Sequence, residues 1–217
     1  MKDKHVKIIW MCWFQGGESS MPRLNRECIR RWRSLNPDWQ VNVLSDATID
    51  NFVPEFNRIV KDTPFKRGLA LKSDLLRILL LEKYGGVWVD ASVYPMLPLS
   101  DFYDKVVNHT GFFTYRFMPR RKQRLTVSWF LCVSQKDNYL IKKWRKEFVK
   151  RFTSVKNIAY FAFHNTLNSL YDSDKKIRFT VNNMIQLKQK QCMANKIPKN
   201  HAKKGRSYMY KRPKYWE

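Results

Sequence analysis

The segment at residues 69–92 constrains the fold most. Residues 69–84 carry leucines at helical spacing, with Leu75, Leu76, Leu79 and Leu80 on one face. Gly85-Gly86 stops this run where a helix C-terminus is easily closed. Residues 87–89 read as a short strand, and Asp90-Ala91-Ser92 falls at its C-terminal end. The leucine face must be buried, and Asp74 and Arg77 stand at i and i+3 on the opposite face. Ligands of open α/β sheets bind outside the carboxyl ends of strands, the place that Asp90 occupies. Taken singly, Asp74 and Arg77 read as a surface ion pair and Asp90 as a turn residue. Joined by helix, Gly-Gly and strand, the three point to one site.

The chain opens strand–helix–strand. Residues 6–14 are a continuous apolar run, closed by Gln15-Gly16-Gly17. Ser20 is placed as the cap of a helix with Pro22 just inside it. Leu24, Cys28, Trp32 and Leu35 recur at helical spacing up to Asn36-Pro37, and 39–44 alternate as a second strand. This order predicts an α/β domain with a mostly parallel central sheet flanked by helices. Further strands are expected at 111–117 and 126–133, and helices at 137–152, 157–171 and 180–191. One domain is expected over 1–194, followed by a basic segment at 195–217.

Charge sets the partner class. The 217 residues hold 42 Lys and Arg against 18 Asp and Glu, a net of +24. Residues 175–217 hold 13 Lys and Arg and a single acid, so half the excess sits in the last fifth of the chain. Such an excess implies an anionic partner and leaves the fold open. Nucleic acid is one class, supported by the arginines at 23, 26, 30, 31 and 33, yet no zinc-finger, helix-turn-helix or RNP pattern appears. Cys12, Cys28, Cys132 and Cys192 form no CxxC pair, which argues against a zinc ribbon or disulfide scaffold and for free thiols in a reducing compartment. No apolar stretch reaches membrane-spanning length, and the N-terminus reads as a strand instead of a signal peptide. A cytoplasmic protein is expected, with its basic surface available to an anionic membrane.

The central block resembles the DXD-motif glycosyltransferases, above all the capsular polysaccharide synthesis proteins, with related architecture in yeast-type mannosyltransferases and clostridial glucosylating toxins. The family pattern runs S-D-x-x-R, a helix, then Y-G-G-x-(W/Y)-x-D-x-(D/T/S). Here it reads Ser73-Asp74-Leu-Leu-Arg77, then Tyr84-Gly85-Gly86-Val-Trp88-Val-Asp90-Ala-Ser92. Ile9-Trp10, Trp13, Gln15-Gly16, Pro22, Ser128-Trp129-Phe130 and the 160–164 stretch ending at His164 extend the similarity over about residues 6–180.

The resemblance implies a GT-A, Rossmann-like fold that binds a nucleotide-sugar and a divalent metal, Mn²⁺ or Mg²⁺. It implies that Asp74 and Arg77 hold the ribose or donor sugar and that Asp90 is the first DXD carboxylate. Asp74, Arg77 and Asp90 are thus the implied catalytic residues. Trp13 would lie against the base, and reads equally as a core aromatic. His164 would face the donor, and reads equally as a core histidine. Ser92 stands at the last DXD position, where a hydroxyl is a weak ligand for a hard cation. His201, or Asn200, would supply a ligand from the C-terminal segment if 195–217 closes over the donor. Cations from 116–124 or 196–206 would offset charge on the leaving diphosphate. The acceptor base is open among Asp101, Asp104, Glu147, Asp172 and Asp174. A nucleotide-sugar donor (UDP- or GDP-linked), a glycan acceptor and no specific nucleic acid are the expected partners. The alternatives are a nucleic-acid-binding basic protein and a catalytically inactive, sugar-binding relative, the latter suggested by Ser92.

Overall fold

The computed structural model describes residues 5–116, 125–187 and 209–211. Five strands form the central sheet: β1 (Ile8–Cys12), β2 (Gln40–Leu44), β3 (Gly86–Val89), β5 (Phe112–Thr114) and β6 (Phe130–Val133). Their order is β2-β1-β3-β6-β5. β1 pairs in parallel with β2 and β3, while β6 pairs antiparallel with both β3 and β5. Four strands therefore share one direction and β6 alone is reversed, as a mostly parallel sheet requires. A second, two-stranded sheet joins β4 (Val93–Pro95) to β7 (Met209–Lys211).

Alternation along the strands feeds two cores, one on each face. Trp10, Trp88, Leu131 and Val133 pack with helices α3 (Leu69–Tyr84), α5 (Tyr139–Ser154) and α6 (Ala162–Ser173). Ile9, Met11, Val87, Val89 and Cys132 pack with α1 (Arg23–Leu35) and α4 (Tyr103–Val107). Helix α2 (Glu55–Asp62) contributes Phe56 to the first core, and α7 (Lys175–Asn183) contributes Ile177 and Val181. α3 is buried on all sides from Asp74 to Leu81, more than its leucine face alone predicts, because the Asp74–Arg77 face also turns inward.

Two helix starts follow side-chain caps, whereas Ser20, expected to cap the first helix, ends a 3-10 turn ahead of α1, and Pro22 takes the cap position without a side-chain bond. Asn138 accepts from the backbone N–H groups of Leu140 and Ile141 and starts α5 two residues later than expected. Asp174 accepts from those of Lys176 and Ile177 and starts α7 at Lys175, five residues earlier than expected. The α3–β3 turn is the tightest point. Gly86 has φ +87°, and a Cβ there would stand 2.5 Å from the Ile8 carbonyl oxygen. Gly85 has φ +71°, and its carbonyl accepts the Trp10 indole N–H at 3.0 Å. Gly86→Ala is therefore expected to cost about 2–4 kcal/mol, seen as a lower urea midpoint at unchanged slope. A change below about 0.5 kcal/mol would mean that the β1–β3 approach is looser than described.

Candidate active site

Several segments converge on a cleft of about 290 Å³ at the C-terminal ends of β1 and β3. The loop after β1 contributes Cys12, Trp13, Phe14 and Gln15. The first half of α3 contributes Ser73, Asp74 and Arg77, and the β3 end contributes Trp88 and Asp90. Ser128 enters ahead of β6, and Tyr160 and His164 enter from the start of α6. Parallel pairing of β1 with β3 puts both strand ends on this edge, and reversal of β6 brings the residues before it to the same place.

Arg77 organises the floor. Its side chain is only 5% exposed. Nε donates to the Ser73 carbonyl at 3.2 Å and Nη2 to Ser73 Oγ at 2.9 Å. Nη1 donates to the Ser128 carbonyl at 2.6 Å and meets Asp74 Oδ1 at 3.2 Å. Nη2 lies 3.7 Å from Asp90 Oδ1. The guanidinium also sits 5.1 Å above the Trp88 ring and 5.6 Å from that of Phe163. Helical spacing explains why Ser73, Asp74 and Arg77 meet, since residues three and four apart share a face. Strand alternation explains why Trp88 and Asp90 share theirs, and Trp88 Nε1 donates to Asp90 Oδ1 at 3.1 Å.

One guanidinium thus serves two carboxylates. Asp74 is the deeper, with 8% of its side chain exposed against 28% for Asp90. Burial pushes the Asp74 carboxyl up to about 7; Arg77 pulls against this, and the charge of Asp90 adds to it. Asp74 is therefore poised to exchange a proton near neutrality, while Asp90 opens to the cleft. The Cys12 thiol is held far above its usual range, chiefly by burial and next by Asp46, so it stays protonated and a poor nucleophile.

Trp13, Asp74, Arg77, Asp90 and His164 all line this one cleft. Trp13 also packs against the second core. His164 is buried and edge-on to Phe161 and Phe163, with centroids 5.8 and 6.0 Å away. Ser92 is half-buried in the turn that the Val93 N–H closes onto the Asp90 carbonyl at 2.9 Å, and it does not line the cleft. His201, Asn200 and 117–124 lie outside the described residues. None of Asp101, Asp104, Glu147, Asp172 and Asp174 lines the cleft either. Asp104 pairs with His5 at 2.9 Å, and Asp174 accepts from the Tyr139 hydroxyl while capping α7. The carboxylates lining the cleft, among the described residues, are Asp74 and Asp90.

Sequence reasoning missed the supports. Helix α1 holds the segment after Asp90: Asn25 donates to the Ala91 carbonyl at 3.3 Å, Trp32 Nε1 to Val93 at 2.8 Å and Arg31 Nε to Pro95 at 3.1 Å. Arg33 forms a two-bond pair with Glu18 at 2.8 Å, and Arg26 donates to the Met21 carbonyl. Three of the five arginines expected to mark a polyanion face are thus engaged in holding the fold.

The described residues include no cluster of three or more His, Cys, Asp or Glu with metal-site geometry. They fit a divalent cation as far as one open carboxylate, that of Asp90. Mg²⁺ commonly takes one or two protein carboxylates and completes its shell with phosphate and water.

The capsular polysaccharide synthesis protein model matches residues 1–214. The chain belongs to the capsular polysaccharide synthesis protein family. Among curated relatives of this family member is the O-glycosyltransferase braB of Annulohypoxylon truncatum, 27% identical over 179 residues, covering 76% of this chain and 42% of that one. The initiation-specific alpha-1,6-mannosyltransferase of Candida albicans is 28% identical over 101 residues, 44% of this chain and 26% of that one. The chain spans less than half the length of the curated relatives it matches. The solved PaToxG glycosyltransferase superposes with a TM-score of 0.52 at 17% identity, over 82% of this chain and 72% of that one. The fold is that of a GT-A glycosyltransferase domain. Among the described residues no helix is long and apolar enough to cross a membrane.

Proposed function

We propose that this glycosyltransferase domain moves a sugar from a nucleoside-diphosphate donor, UDP- or GDP-linked, to a hydroxyl of a glycan acceptor. The observation that carries the reading is the meeting of Asp74, Arg77 and Asp90 in one cleft at the C-terminal strand ends. Asp74 and Arg77 hydrogen-bond the ribose or the donor sugar, and Trp13 lies against the base. Arg77 fixes both carboxylates before substrate arrives, so no reorganisation is needed at the moment of reaction. Asp90 faces the reacting end, where its charge stabilises positive charge developing on the sugar. A divalent cation held by Asp90 and the donor phosphates would supply charge neutralisation on the leaving diphosphate. β7 (Met209–Lys211) pairs with β4, the strand that follows the Asp90 turn, which supports a role for the C-terminal region beside the donor. The net charge of +24 draws the anionic donor in. The family and the fold lend no support to a nucleic-acid-binding protein.

Thermal unfolding with UDP or GDP, with and without Mn²⁺, tests donor binding. Ligand at about 100 times its Kd is expected to add about 2.7 kcal/mol to stability. No upward shift with either nucleotide would count against the donor reading.

A further inference from the structure

Five large apolar side chains stand exposed among the described residues, and two of them, Leu69 and Tyr160, line the cleft. Leu69 is 48% exposed at the first turn of α3, and Tyr160 is 69% exposed just before α6. A third, Val155, belongs to the stretch that Arg67 pins against the α3 start. Buried Arg67 donates to the Phe152 carbonyl at 2.9 Å, to Val155 at 2.6 Å and to Lys156 at 3.0 Å. The Tyr160 ring is held edge-to-face by Phe161, with centroids 4.7 Å apart. The lip is therefore apolar, while the floor beneath it is Ser73, Asp74, Arg77 and Asp90.

We propose that this lip is the acceptor entrance, and that the acceptor is amphipathic, an apolar body lying directly beside the hydroxyl that takes the sugar. The proposal rests on the transfer reaction above and narrows its acceptor class. A donor diphosphate needs cations and hydrogen-bond donors, which Leu69 and Tyr160 side-chain carbons do not offer. A uniformly hydroxylated ligand could lay a C–H face on the Tyr160 ring but would leave Leu69 poorly matched. Exposed apolar surface continuous with a polar cleft is the mark of a ligand groove, and its chemistry is met by a glycoside with an apolar aglycone.

Methyl, butyl, hexyl and octyl β-glucosides, each below its micelle-forming concentration, serve as probes in titrations of the full chain with nucleoside diphosphate present. Affinity is expected to rise about threefold per added methylene over the first few carbons. Leu69→Ser combined with Tyr160→Ser should flatten the series to within about twofold, and Tyr160→Phe should keep it steep. A flat series in the wild type overturns the proposal, as does a steep series that survives the double substitution. Loss of nucleoside-diphosphate binding in the double variant would assign the lip to the donor. Sedimentation with phosphatidylcholine vesicles that depends on both side chains would make it a membrane face, which also overturns the proposal. A wild-type chain that binds no nucleoside diphosphate yet shows a steep, lip-dependent series refutes the donor reading and supports the lip.

Discussion

Arg77→Met is expected to lower stability by about 2–4 kcal/mol, since the Ser73 and Ser128 carbonyls lose the guanidinium as donor and Asp74 loses its ion-pair partner. Methionine fills much of the same space, so the loss comes from these polar partners and not from a cavity. The pH dependence isolates the share that Asp74 carries. The Asp74 carboxyl is at about 7 in the folded chain against an ordinary value of 3.8. Between those values the folded chain holds a proton that the unfolded chain has released, so this group's contribution to stability falls as pH rises. Without Arg77 nothing pulls the carboxyl down, and the window extends further up. The deficit of Arg77→Met should therefore be larger at about pH 8 than at about pH 5, by about 1 kcal/mol. In an Asp74→Asn background the same substitution should show little pH dependence. Urea unfolding at the two pH values reads both effects. An equal deficit at both would mean that Asp74 is not the group left stranded.

Asp90→Asn is expected to reduce transfer by at least about 100-fold while leaving the unfolding midpoint nearly unchanged. Asparagine keeps the shape, and its oxygen can still accept the Trp88 indole N–H that Asp90 accepts at 3.1 Å. Only the charge is lost. Asp90 is the more open of the two carboxylates, and Arg77 retains Asp74 at 3.2 Å, so the fold has little to lose. Removing the Asp90 charge also removes one cause of the raised Asp74 carboxyl, which should move below about 7. Stability should then decline over a narrower pH range. A variant as unstable as Arg77→Met would make Asp90 a structural residue.

Much of this was legible in the residues. Helix α3 begins and ends where leucine spacing and Gly85-Gly86 place it, because a buried helix needs a long apolar run and a glycine stop. Asp90 was locatable because a short strand after that stop leaves only one end to occupy. Other features depend on distant partners. β4 carries Pro95, and its pairing partner is more than a hundred residues away, so no local pattern announces it. The reversed direction of β6 is invisible in its buried run Phe-Leu-Cys-Val, since an apolar run carries no sign of direction. Arg67 reads as one more basic residue of a basic chain, yet it satisfies carbonyls at the end of α5. The +24 charge suggested a polyanion face on α1, where Arg26, Arg31 and Arg33 are instead held by Met21, Pro95 and Glu18.

The most direct measurement is nucleoside diphosphate released from a panel of UDP- and GDP-sugars by the wild type and by Asp90→Asn, side by side, with and without Mn²⁺. Release from at least one donor by the wild type, with the hundredfold loss in Asp90→Asn, is the predicted result. Equal, background-level release by both proteins would contradict it and favour an inactive, sugar-binding relative.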